Sequence, residues 1–141
     1  HATAACVAVI EQRRDALSKA LRGPVDAREI RDRLRDAAWR GVADGLSLAA
    51  ASGSVVGGHD VLLRELAAGR IVAILLASDA AERTADDVRG AAGTVPVVSV
   101  PMTREELGHR TGRGLRAALG VVSTAGSSHL LRQLRRWSGL G

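Results

Sequence analysis

A chain of 141 residues, 46% hydrophobic and 25% charged, has the means to bury a core as one domain and excludes wholesale disorder. That core must be aliphatic. Phe and Tyr are absent and Trp39 and Trp137 are the only aromatics, which also removes base stacking as the main grip on single strands. The formal net charge of +5, carried by arginines and a single lysine, Lys19, favours polyanionic partners, of which nucleic acid is the commonest.

In chain order, residues 6–22 are apolar and then amphipathic, with Ile10, Leu17 and Leu21 on one face, and predict a helix that Gly23-Pro24 ends. Asp26-Ala-Arg-Glu29 has the form of a capping box with Asp26 as the cap. Ile30, Leu34, Ala37, Ala38 and Val42 continue at helical spacing, and Glu29 with Arg33 makes a favourable i,i+4 pair. Gly41 is expected to interrupt or end this helix, with residues 46–51 resuming a small apolar turn.

Ser54 to Asp79 is the organising stretch. A short apolar run stops at Gly57-Gly58, a helical segment covers residues 60–68, and Gly69 ends it. Ile71–Ala77 is apolar throughout and closed by Ser78-Asp79, the pattern of a strand buried on both faces. Strand, helix and strand make a βαβ unit, which predicts neighbouring parallel strands. The glycine turn leaves helix N–H groups open at its mouth, and such groups attract phosphate.

Further on, residues 84–92 predict a short helix, with Thr84 and Asp87 at its start, and residues 95–100 a strand whose proline sits near the beginning. Thr103-Arg-Glu-Glu106 is a T-x-x-E capping box and predicts a helix over Arg104–Arg110. Gly112-Arg-Gly114 loops to a strand over 117–123. A last helix after Gly126-Ser-Ser128 places Leu130, Leu131, Leu134 and Trp137 on one face. Arg132, Arg135 and Arg136 occupy its other face, which reads as the solvated side. Alternating strands and helices give an α/β fold: a three-layer α/β/α sandwich with a central mixed sheet of about four strands, preceded by helices.

The strings G-H-D-V-L-L-R, A-A-G-R-I-V-A-I-L-L-A-S-D, V-P-V-V and E-E-L-G carry a resemblance. Residues 46–127 are similar to the kink-turn RNA-binding ribosomal-protein superfamily, which has this three-layer fold. The preceding string C-V-A-V-I-E-Q-R-R-D-A-L-S-K-A-L-R-G resembles the end of the bacterial YlxR-type nucleic-acid-binding domain. The implied organisation is a truncated YlxR-like remnant over 1–24 and a ribosomal-protein-like domain over 25–141, as in bacterial proteins that fuse the two. A chain that begins with His1 fits a missing upstream segment.

The resemblance implies structured RNA, ribosomal or from another ribonucleoprotein, as the partner, met at the first strand–helix turn. Gly57, Gly58 and His59 lie at that turn, and Arg64 keeps the charge of the family's lysine. Asp60 stands where the family places an amide or lysine, and Val61 where it places Glu or Gln. An acid repels phosphate and Val61 cannot bond a base edge, so the expectation is a grip on RNA backbone rather than recognition of kink-turns. Further contacts implied by the family fall on Ser78-Asp79 and on the loop bearing Arg113 and Arg116.

No catalytic set is legible. His1, His59, His109 and His129 show no ligand spacing with Cys6, and there is no nucleophile elbow, Walker loop or dinucleotide fingerprint. The expectation is a non-enzymatic protein without metal or cofactor. A lone cysteine points to a reducing, cytoplasmic setting, and no run reaches the ~18–20 apolar residues of a membrane span. Two other readings stay open: a scaffold or interaction module of the same fold, able to form a homodimer through the small-residue helix 37–51, and the substrate-binding part of an RNA methyltransferase.

Overall fold

The structure is a computed structural model and describes residues 4–20, 23, 24 and 26–139, with Leu17 as backbone only. The expected helical positions Leu21 and Arg22 lie outside the described residues. The chain divides into two compact units, His1–Val42 with Arg132–Gly141, and Ala43–Leu131.

The first unit is helical. Instead of one helix, α1 (Ala4–Gln12) and α2 (Arg14–Ala20) are separated at Arg13. Helix α3 (Ala27–Ala51) starts as its sequence predicts, with Asp26 Oδ1 accepting from the Arg28 N–H at 2.8 Å. The Glu29 carboxylate pairs with Arg33 one turn on. Val7 and Ala38 form the unit's core, with Leu34 and Trp137 packed against it.

Helix α3 also corrects an expectation: it runs unbroken through Gly41 and Gly45. Both glycines are there for close packing against α7 (Ser128–Ser138). A Cβ on Gly41 would meet Gln133 Oε1 at 2.7 Å, and one on Gly45 would meet the Leu130 Cα at 3.0 Å. A glycine that admits a neighbouring helix and a glycine that stops a helix are the same letter. The apolar face of residues 37–51 is also used within the chain, since Ala38, Val42, Ala43, Leu46 and Ala49 are all buried.

The second unit is built on a four-stranded mixed sheet flanked by helices. Its strands are β1 (Val55–Gly57), β2 (Ile71–Ala77), β3 (Val97–Val100) and β4 (Ala118–Val122), in the order β1-β4-β2-β3. Helices α4 (His59–Ala67), α5 (Glu82–Ala92) and α6 (Arg104–Arg110) connect them in turn. β2 lies inside the sheet, and Ile74 is completely buried.

The parallel neighbours are β2 and β3. β1 and β2 are not neighbours, as the βαβ reading had them: β4 runs antiparallel to both and lies between them. Pattern alone identifies strands but not their order, and the strand that fills the gap is the last in the chain.

Cross-strand registry sorts the side chains onto two faces. Val56, Gly120, Ile74 and Val97 lie in one row. This face packs on Leu62 and Leu66 of α4 and on Val88 and Ala92 of α5. A Cβ on Gly120 would meet Leu62 Cδ1 at 2.7 Å, so the glycine is the space into which α4 sinks its leucine. The opposite face carries Leu75, Leu119 and Val121, all buried, and α3, α6 and α7 supply the fully buried Leu46, Leu107 and Leu130. With both faces covered, the runs in β2 and β4 must be apolar in nearly every position.

Candidate nucleic-acid interface

A cleft of about 190 Å³ opens where β1 ends and β4 begins, lined by Gly58, His59, Thr84, Leu115 and Arg116 among others. Its first wall is the turn into α4. Gly58 caps that helix with φ +103 and ψ 134, a conformation that only glycine adopts without strain. Glycine has no side chain with which to cap, so no side-chain hydrogen bond closes the start of α4. The N–H groups of that first turn are therefore available to an anion, where the helix dipole adds to the attraction.

The second wall is the stretch before β4. The Arg116 N–H donates to the Arg104 carbonyl at 2.9 Å, which holds the chain beside the start of α6. From there the side chain lies across Gly57: a Cβ on that glycine would meet Arg116 Nε at 2.9 Å and Leu119 Cδ2 at the same distance. Gly57 is thus the floor that lets the arginine lie flat. Nη1 of the guanidinium donates to the Leu115 carbonyl at 3.0 Å. Nε is buried and has no hydrogen-bond partner. A buried donor of a cationic group left without an acceptor is costly, and a shift of the side chain that brings Nε to a phosphate oxygen would relieve it. Leu115 beside it is 65% exposed, an apolar lip on a polar cleft.

The sequence-predicted residues are distributed as follows. Gly58, His59 and Arg116 come together in the cleft, with Gly57 beneath the arginine. Asp60 is exposed in the first turn of α4, adding negative charge to a mouth that is otherwise set up for anions. Arg64 is further along α4, 70% exposed, with Nε 3.6 Å from the Glu65 carboxylate. That carboxylate is held mainly by Arg70, which donates to both of its oxygens. The Arg70 hydrogen bond keeps the Glu65 carboxyl below its usual range. Arg113 is exposed in the loop after α6, and its N–H donates to the Gly108 carbonyl.

Ser78 and Asp79 have local partners. The Ser78 N–H and hydroxyl both donate to the Met102 carbonyl, at 2.8 and 3.1 Å. Asp79 accepts from the Arg104 N–H at 2.7 Å and from Arg104 Nε at 3.4 Å. These bonds tie the end of β2 to the first turn of α6, and through Arg104 to the arginine of the cleft. Sequence reasoning missed Thr84 as a lining residue, while Leu115 lies within the stretch 112–116 that the resemblance implied.

No family model matches this chain, and no curated protein does. Solved structures do. One is a protein of unknown function from Bacillus halodurans C, at 25% identity and a TM-score of 0.59, covering 67% of this chain and 96% of that one. Another is the Giardia lamblia 15.5kD RNA binding protein, at 13% identity and a TM-score of 0.59, covering 72% of this chain and 88% of that one. The chain shares its fold with an RNA-binding protein. At that identity the likeness is one of backbone, so the chemistry has to be read from the cleft itself. Among the described residues, no group of His, Cys, Asp and Glu is placed to hold a metal ion, and no helix is long and apolar enough to cross a membrane.

Proposed function

We infer that this chain binds structured RNA, ribosomal or of another ribonucleoprotein, and that it does so without catalysis. The cleft at the β1–α4 turn would take the phosphate backbone. The observation that carries this is Arg116, laid across Gly57 with a buried Nε that lacks an acceptor, beside a helix start with no side-chain cap. Two kinds of donor converge there, a guanidinium and main-chain N–H groups, the usual means of holding phosphate. His59, Arg64 and Arg113 stand exposed where a backbone leaving the cleft could meet them, and Leu115 offers an apolar surface to a sugar or a base face. Ser78 and Asp79 enter this reading as supports of the Arg104–Arg116 segment. The fold shared with the Giardia protein is consistent with such a partner. The likeness of residues 6–23 to a YlxR-type domain rests on that string alone.

The test is a titration of the whole chain against a kink-turn RNA and a simple duplex of equal length. Arg116→Ala should weaken binding to both by about ten- to a hundredfold, the worth of a charge-assisted hydrogen bond. Gly57→Val should do the same, because its side chain needs the space the arginine occupies. If both variants bind either RNA as the parent does, the cleft is structural and the interaction-module reading takes its place.

A further inference from the structure

The charge of the chain is not where the RNA-binding fold is. Twelve of the 20 basic residues and six of the 15 acidic ones fall in His1–Val42 and Arg132–Gly141, a net charge of +6 for the helical unit. The sheet unit, Ala43–Leu131, has the remaining eight basic and nine acidic residues and a net charge of −1. Half of its eight arginines are also engaged: Arg64 and Arg70 with Glu65, Arg89 with Asp86, Arg104 with Asp79. A body of that charge does not attract a polyanion over distance, since steering follows the summed field rather than one pocket.

The helical unit is the reverse. Arg135 and Arg136 of α7 are exposed and outside the ion pairs, and they share the helix face of Arg132. Arg35 sits 5.8 Å over the ring of Trp137, which fixes a further guanidinium beside α7. Arg13, Lys19, Arg28 and Arg40 are exposed as well. The apolar face of α7 is already used, with Leu134 buried and Trp137 packed on the core of its unit. Among the described residues α7 therefore has no free apolar face with which to enter a bilayer, and a helix that binds lipid needs one. Guanidinium groups without a wedge suit the closely spaced phosphates of a nucleic-acid duplex.

We propose that the helical unit is a second RNA-binding surface, centred on Arg135 and Arg136, which supplies the salt-dependent, sequence-indifferent part of the affinity. It deepens the RNA-binding reading without depending on the cleft, because each surface has its own readout. Trp39 and Trp137, whose ring centroids are 5.2 Å apart, are the only aromatics and both belong to the helical unit, so intrinsic fluorescence reports on that unit alone.

The experiment titrates the whole chain with a 20-base-pair RNA duplex at several salt concentrations, following both affinity and tryptophan emission. Arg135→Gln/Arg136→Gln should reduce the slope of log K against log salt by about 2, roughly one for each phosphate no longer neutralised, and should suppress the emission change. Arg135→Lys/Arg136→Lys should restore most of the slope. Arg116→Ala should leave the emission change in place. Both α7 residues are exposed, so the variants should melt as the parent does; a glutamine variant that melts early is replaced in the comparison by the single Arg136→Gln, whose expected slope change is about 1. A parental slope and emission change in the glutamine variants overturns the proposal, as does a chain that binds phosphatidylserine vesicles but not the duplex. Weaker duplex binding in Arg116→Ala with the emission change intact speaks to the cleft, not to this surface.

Discussion

At the scale of single residues, two carboxylates set opposite expectations. Glu65 accepts both hydrogen bonds of Arg70, which lowers its pKa in the folded chain. A group whose pKa is lower folded than unfolded contributes stability that is fully present above its unfolded value and is lost as pH falls through the folded one. Acid melting should therefore show a decline beginning in the ordinary carboxylate range and continuing below it, and Glu65→Gln should flatten that decline by lowering stability at neutral pH while leaving acid stability nearly the same. Asp60 has no such bond and lies exposed beside the cleft. Asp60→Asn with Val61→Glu would place hydrogen-bonding groups where the resembling superfamily has them. Kink-turn affinity should rise at least tenfold over that for the duplex, by analogy with the ~1–3 kcal/mol of a good base contact in DNA. Equal affinities for the two RNAs in that variant would show that the turn does not reach base edges. Gly58 was legible in the sequence as a turn glycine. Arg116 on Gly57 was not, because nothing local in either segment records that the two are brought together.

Among the elements, those legible in the sequence are the ones whose signals are local. Thr103 closes its box in the structure, its hydroxyl accepting from the Glu106 N–H at 3.2 Å and the Glu106 carboxylate accepting from the Thr103 N–H at 2.7 Å. Thr103→Ala should cost about 1 kcal/mol in chemical denaturation. The strand Ile71–Ala77 is present with the boundaries that its apolar run predicts. Ile74→Asp should unfold the second unit, since an unpaired carboxylate in that position costs several kcal/mol; a folded, soluble variant would contradict a central β2. The continuity through Gly41 was not legible, because it depends on what packs against the helix, and nothing in the structure explains the break at the exposed Arg13. Gly108 is a further case. A Cβ there would overlap the Gly114 carbonyl and come within 2.8 Å of the Arg113 carbonyl. Those atoms are main chain and cannot rotate away. Gly108→Ala should destabilise by roughly 1–3 kcal/mol, the range for forced overpacking. It should also weaken RNA binding beyond that loss, because the displaced segment leads to Arg116.

For the whole molecule, the strand order carries a consequence in time. β1 and β2 are both made early, yet neither can pair with the other, because the place between them belongs to β4, the last strand of the chain. Until Val122 has been synthesised, β1 has no partner at all and β2 has only β3. At ~5–20 residues per second that wait is on the order of several seconds after β1 is complete. The cleft is completed no sooner, since one wall follows β1 and the other precedes β4. A nascent chain stopped short of β4 should thus be sensitive to protease, while the same chain extended past Val122 should gain protection and the Arg116-dependent part of RNA binding in one step. The cleft can meet an anion only once β4 has joined the sheet that frames it.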